Sequence, residues 1–133
     1  VGPFAVLPGS GQIAVVVDEG GDANSIQLLD PASRELRSVY VTPRGEYVVD
    51  ANTLDWMPDG RSLFFVTANR AAGGRPMSLF RIPVSGGQPE KLFEAESIYQ
   101  VRVHPDGRQI ALDTRSFKIE TRVVDNLFAA AKK

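Results

Sequence analysis

The sequence has no cysteine and a single histidine, His104. Without cysteine, disulfides and thiolate metal sites are excluded. One histidine excludes a histidine-pair metal site and leaves none to spare for a nucleophilic triad. No G-x-S-x-G nucleophile elbow occurs, and Ser10, which lies between two glycines, lacks the strand-turn-helix setting of one. Charge of one sign is lacking too. The net charge is -1 over 133 residues, which argues against a nucleic acid or another polyanion as partner. No apolar run reaches the roughly 20 residues of a membrane-spanning helix. The opening Val1-Gly2-Pro3 has no initiator methionine and no signal-peptide pattern. The expectation is that the chain starts inside a longer polypeptide.

What is present is one short stretch written twice. Trp56-Met57-Pro58-Asp59-Gly60-Arg61 is echoed by Val103-His104-Pro105-Asp106-Gly107-Arg108. Proline presets φ for a turn, aspartate accepts hydrogen bonds from nearby amides, and glycine tolerates positive φ. Apolar runs flank each copy, so each reads as a tight hairpin between two strands. Gly60 and Gly107 stand 47 residues apart. Gly11, in Leu7-Pro8-Gly9-Ser10-Gly11-Gln12, stands 49 residues before Gly60.

Three units follow from this spacing. In each, a short strand enters the turn: Phe4–Val6, Thr53–Trp56 and Tyr99–Val103. A strongly apolar strand leaves it: Ile13–Val17, Leu63–Val66 and Ile110–Leu112. Such runs read as strands covered on both faces. A third strand follows a polar loop, at Ser25–Leu29, Ser78–Val84 and Ile119–Val124. The first two units turn again and close with a more polar strand, Glu35–Tyr40 and Glu90–Phe93. That composition suits an outer edge. Pro83 is tolerable because it falls near a strand end.

Four antiparallel strands in units of about 40 to 50 residues are the signature of a propeller blade. The fold class is therefore all-β, with about three four-stranded antiparallel blades. Blade one spans residues 1–50, blade two 51–97, and an incomplete blade three 98–125, followed by a tail at 126–133. The tail is alanine-rich and ends in two lysines; one or two helical turns capped by Asp125 or Asn126 and a frayed terminus are both open readings.

The residues also resemble a known family. Trp-x-Pro-Asp-Gly-Arg-x-Leu-Phe-Phe at 56–65, Leu-Phe-Arg-Ile-Pro-Val-x-Gly-Gly at 79–87 and His-Pro-Asp-Gly-Arg-Gln-Ile-Ala-Leu at 104–112 look like the WD40-like repeats of the TolB propeller family. The resemblance runs over residues 4–125. The ending Arg122-Val123-Val124-Asp125-Asn126-Leu127-Phe128 is similar to that of TolB-like propellers, some of which are fused to serine/threonine kinases; Arg122 stands where a tryptophan is expected. The resemblance implies six blades, protein–protein contact and a periplasmic or extracytoplasmic setting. TolB-like blades also resemble those of prolyl-oligopeptidase-type peptidases, where a separate α/β-hydrolase domain performs the chemistry.

Three blades are too few to close a ring, and an open arc exposes an apolar flank at each end. The expectation is that the flanks are covered by further blades of the same parent chain or by a second copy, three blades joining three. Strand alternation places every tight turn at one end of the blades. The longer loops, at 18–24, 41–51, 67–76 and 94–98, share the other end. Loops on a rigid scaffold carry function. The candidate contact residues for a protein or peptide partner are Asp18, Asp22, Asn24, Arg44, Tyr47, Arg70, Arg75 and Tyr99.

Sharper chemistry finds no support. Gly9-Ser10-Gly11-Gln12-Ile13-Ala14 matches G-x-G-x-x-A, but a β-branched run follows where a dinucleotide site needs a helix. The segment 18–24 offers oxygen ligands without EF-hand spacing or its closing glutamate. Glu94 and Glu96 lie in a loop with no sign of the burial that acid–base work requires. Trp56 reads as a blade-core anchor. No catalytic residue, cofactor or metal is expected. The chain reads as a non-catalytic interaction module, with the propeller portion of a multidomain enzyme or a kinase sensor as alternatives.

Overall fold

A computed structural model describes residues 4–7, 9–20, 23–49, 52–115 and 119–125. All regular structure among them is β. In blade one, β1 (Phe4–Val6), β2 (Ile13–Gly20), β3 (Ala23–Leu29) and β4 (Leu36–Val41) pair in chain order. In blade two, β5 (Glu46–Val48) and β6 (Asp55–Trp56) both pair with β7 (Ser62–Asn69), which pairs with β8 (Met77–Pro83), and that with β9 (Glu90–Ala95). In blade three, β10 (Ser97–Val103), β11 (Gln109–Arg115) and β12 (Ile119–Asp125) form a three-stranded sheet. All pairings are antiparallel.

The turns behave as their residues dictate. Gly60 and Gly107 sit at φ 74° and 72°. The Asp59 carboxylate accepts the Arg61 amide at 2.9 Å, and Asp106 accepts that of Arg108 at 2.8 Å. That amide, with help from His104, holds the Asp106 carboxyl below its ordinary pKa. In blade one Ser10 makes the same kind of bond, to an amide two residues on, although by strand register it stands where Gly60 and Gly107 do. Its hydroxyl accepts the Gln12 amide at 3.2 Å, and Gly11 has φ 74°.

Side chains alternate across each sheet, so each blade has one face toward its predecessor and one toward its successor. Blade two shows both faces at work. From β7, Leu63 and Phe65 join a core with Ala14, Val16 and Ile26 of blade one. Phe64, Val66 and Ala68 join a second core with Val101, Ile110 and Leu112 of blade three. Burying one such side chain stabilises by about 1.5–3 kcal/mol. The expectation of cover on both faces holds only for β7. In β2 and β11 the burial alternates, because blades one and three each have one neighbour.

Polar bonds stitch the same seams. Trp56 Nε1 donates to the Ala5 carbonyl at 2.9 Å, from blade two to blade one. The Asp55 carboxylate accepts the Val103 amide at 2.8 Å, and the Asn52 carbonyl accepts that of Val101 at 3.1 Å. At the turn end, a Cβ on Gly60 would lie 2.9 Å from the Leu7 side chain, and one on Gly107 3.4 Å from Met57. Each turn glycine thus rests on the residue before the preceding blade's turn.

Two differences from the sequence reading stand out. The inner strand of blade two, expected at Thr53–Trp56 after a loop over 41–51, is split into β5 and β6. The expected loop at 94–98 narrows to Glu96, between β9 and β10. In both places hydrogen bonds to a neighbouring strand draw polar residues into the sheet. The tail at 126–133 lies outside the described residues.

Replacing Asp55 with alanine strands the Val103 amide in the seam. The expected loss is about 1–3 kcal/mol in urea unfolding, with a smaller loss for Asp55→Asn, which keeps an acceptor. A second outcome concerns pH. The Tyr40 ring packs 5.4 Å from Phe65, which stacks on Phe80 at 5.6 Å. Burial, with the Glu46 charge adding to it, raises the Tyr40 pKa above 10.0. The folded state therefore holds this proton more tightly than the unfolded one. Stability is full below pH 10.0 and falls as pH climbs through the raised pKa. Unfolding curves of Tyr40→Phe across that window should show a smaller alkaline loss than the parent.

Candidate functional site

The connections between β4 and β5, β7 and β8, and β9 and β10 lie at one end of the blades, with the end of β2, the start of β3 and the end of β11. Seven of the eight candidate residues can be placed there, and they divide into two groups. Asp22 lies outside the described residues.

Asp18 and Asn24 spend their side chains on backbone groups. The Asp18 carboxylate accepts the Gly20 amide at 2.8 Å and so shapes its own hairpin. Asn24, the second residue of β3, is half-buried. Its Oδ1 accepts the Val48 amide at 3.0 Å, and its Nδ2 donates to the Val48 carbonyl at 3.3 Å. One side chain thus satisfies both backbone groups of a residue in the next blade. Its own amide donates to Thr42 Oγ1 at 3.1 Å, and its carbonyl accepts the Thr42 amide at 2.9 Å. Asn24 fastens blade one to β5.

The other five face outward or form the rim. Tyr47, expected in a loop, lies in β5 and is half-buried. The Arg70 guanidinium lies 4.5 Å from the centroid of its ring, and the Arg70 amide donates to the Gly45 carbonyl at 2.9 Å. A Cβ on Gly74 would lie 3.2 Å from the Tyr47 hydroxyl, so the β7–β8 loop closes down on this tyrosine. In blade three, Tyr99 occupies the bulge where the β10–β11 register shifts. The Arg115 guanidinium lies 5.3 Å from its ring centroid. Two blades therefore each set an inner-strand tyrosine beneath an arginine from the end of the second strand. Such a stack is worth about 0.5–1 kcal/mol where exposed.

Arg75 pairs with the connection that leads from blade two into blade three. Its guanidinium meets the Glu96 carboxylate at 2.6 Å, both side chains being exposed. An open groove of about 440 Å³ runs beside the pair, lined by Arg75, Pro76, Glu94, Ala95 and Glu96. Arg44 is exposed in the β4–β5 turn. Sequence reasoning does not single out Arg115. The repeat could have pointed to it, because Arg115 pairs with Ser97 beside the tyrosine bulge as Asn69, next to Arg70, pairs with Glu46 beside Tyr47. Among the described residues, no group of three or more His, Cys, Asp or Glu side chains is placed to hold a metal ion. No helix among them is long and apolar enough to cross a membrane.

No family model matches the sequence, and no curated protein matches it either. Solved structures do. TolB from Acinetobacter baumannii superposes with a TM-score of 0.67 at 18% identity, over 94% of this chain and 30% of TolB. An oligogalacturonate lyase in complex with manganese gives 0.72 at 16% identity, over 97% of this chain and 34% of the lyase. The β-propeller domain of the trilobed protease from Pyrococcus furiosus, described as having an open velcro topology, gives 0.65 at 15% identity, over 93% of this chain and 38% of that one. The chain spans less than half the length of each. These likenesses show the fold: the chain is built as consecutive blades of a TolB-like β-propeller.

The bonds of Asn24 forecast a stability effect. Asn24→Ala leaves both backbone groups of Val48 without their partner and should cost about 1–3 kcal/mol. Asp18→Ala, at an exposed hairpin, should stay within about 0.5 kcal/mol of the parent. Chemical denaturation of the two variants side by side measures the contrast.

Proposed function

We propose that the chain is a non-catalytic propeller module that contacts a protein or peptide through the loop end of its blades. The observation that carries this reading is the repeated Arg–Tyr stack, Arg70 on Tyr47 and Arg115 on Tyr99, beside the Arg75–Glu96 pair. Stacked arginine and tyrosine combine large contact area with little side-chain entropy left to lose. That chemistry is enriched at the centres of protein interfaces. The backbone beneath is fixed by β-ladders, so these groups are positioned before a partner arrives. The groove beside Arg75 offers an apolar floor at Pro76 and Ala95 and charge at its rim.

A second reading has a specific observation behind it. The same blade arrangement occurs in a protease's propeller domain. On that reading the chain is the propeller portion of a multidomain enzyme, and its loop end faces a catalytic domain. A sensor role beside a kinase belongs to the same class. Each of these readings uses the loop end as its contact surface, since loops on a rigid scaffold are where recognition is carried.

Panning a displayed peptide library on the immobilised protein tests the proposal. Selected peptides should lose most of their binding to Arg75→Glu and Tyr99→Ala, and keep it with Arg108→Glu at the opposite end. Peptides that ignore both loop-end changes would place recognition elsewhere and sink the reading.

A further inference from the structure

We propose that a cleft on the face of blade three that turns away from blade two is a binding site for a tryptophan side chain, carried on a peptide segment of a partner protein. The proposal stands apart from the loop-end reading, because the cleft lies beside the tight turn at the other end of the blade. It holds about 300 Å³ and is mostly apolar. Arg102, Ala111 and Val123, which pair across β10, β11 and β12, form its floor. His104, Pro105 and Gln109 close it at the turn. Val123 is 57% exposed there.

The chain contains its own template for the occupant. In blade one the same register holds Ala5, Ala14 and Leu28, with Leu7 and Gln12 at the turn. Trp56 of blade two fills that cradle. It packs into one core with Leu7, Ala5, Ala14 and Leu28, and its Nε1 donates to the Ala5 carbonyl at 2.9 Å. Two alanines make room for the indole. In blade two the corresponding residues are Asp55, Phe64 and Arg81. Phe64 takes up the space itself, and the residue of blade three that stands where Trp56 does is the smaller Val103. Blade three returns to the small pattern. Ala111 stands where Ala14 does, Val123 where Leu28 does, and the Arg102 carbonyl where that of Ala5 does. The Arg102 guanidinium is drawn toward blade two, donating to the carbonyls of Asn52 at 3.2 Å and Val101 at 2.7 Å.

A further blade is a poor occupant for two reasons. The row beside the cleft holds Gln100, Asp113 and Thr121, with the hydroxyl donating to the carboxylate at 2.9 Å. At the places of Asp113 and Thr121, blade one has Val16 and Ile26 and blade two has Val66 and Leu79, all buried. A sheet laid flat on blade three would take that carboxylate out of water, at a cost the other two seams do not carry. The side chain that seats the next turn is missing as well. Leu7 lies against Gly60 and Met57 against Gly107. His104, at their position, is exposed, and its Nδ1 accepts the Asp106 amide of its own turn at 3.1 Å. A peptide in extended form needs less. Its tryptophan enters the cleft as an aromatic anchor. Its backbone runs on over an adjoining hollow of about 90 Å³, where Gln100 and Asp113 can bond its amides.

The test uses the full natural polypeptide that carries this sequence. The probe is a capped Gly-Gly-Trp-Gly-Gly peptide made with fluorotryptophan, its binding read by fluorine NMR line broadening. Ala111→Phe gives blade three the bulk that Phe64 has in blade two. Val123→Glu puts a charge on the exposed rim and stands in if the first variant folds poorly. Each should weaken binding at least about tenfold, while Glu35→Ala on the outer strand of blade one should leave it unchanged. The same peptide with an N-methylated indole, which has no N–H to donate, should bind roughly three- to tenfold more weakly. Free tryptophan, without the flanking amides, should bind more weakly than the peptide. Absence of binding at millimolar probe would overturn the proposal and is the outcome if a further blade or a second copy covers the cleft. Binding that survives both Ala111→Phe and Val123→Glu would overturn it too, as would equal affinity for the N-methylated probe. Free tryptophan binding as tightly as the peptide would assign the cleft to a small molecule and remove the partner protein.

Discussion

A four-stranded sheet has two faces, and water can be excluded from both only if another sheet lies on each side. Blade two is the one place among the described residues where this condition is met. Its central strand buries Leu63, Phe64, Phe65 and Val66 completely, with alternate side chains serving opposite cores. The flanking blades depend on it. Ala14 and Val16 on one side and Ile110 and Leu112 on the other are buried because β7 lies between them. The polar seam bonds act on top of this apolar contact and fix its register. Asp55 and Trp56 are neighbours in β6 that reach opposite ways, one to blade three and one to blade one.

Much of this was legible in the residues. The turn chemistry of Pro-Asp-Gly is local, so Gly60 and Gly107 announce their conformation without knowledge of the rest. The turn at Gly9-Ser10-Gly11 joins its strands in the same register by a different path: the Gly11 amide reaches back four residues to Leu7 where Gly60 and Gly107 reach back three, and a hydroxyl accepts the amide two residues on. Strand order followed from these turns. What the residues alone could not convey was which apolar strand is sandwiched. The runs at 13–17 and 63–66 look alike, and only the number of neighbouring sheets tells them apart. The split of the inner strand into β5 and β6 was hidden for a related reason. β5 is anchored by Asn24, 24 residues earlier, and no local propensity records a bond of that separation.

The loop end was only partly legible. Topology places the candidates there, but not the direction in which each side chain points. Asn24 and Asp18 have short side chains that bond nearby backbone, a habit of Asn and Asp in turns. They became parts of the framework. Tyr47, Arg70, Arg75 and Tyr99 are longer and reach beyond it, where they stack or pair at the surface. Side-chain length separates the two groups better than charge does.

The seating of each turn glycine on the residue before the neighbouring turn divides labour between the two ends of the blades. Spacing between blades is set where the chain turns tightly, at Leu7 with Gly60 and at Met57 with Gly107. At the opposite end the duty falls on a few bonds, chiefly those of Asn24 to Val48. Away from those bonds, its connections can lengthen, shorten or change charge with little effect on how one blade lies on the next. A lineage built on this plan is free to change what it recognises while leaving its architecture alone.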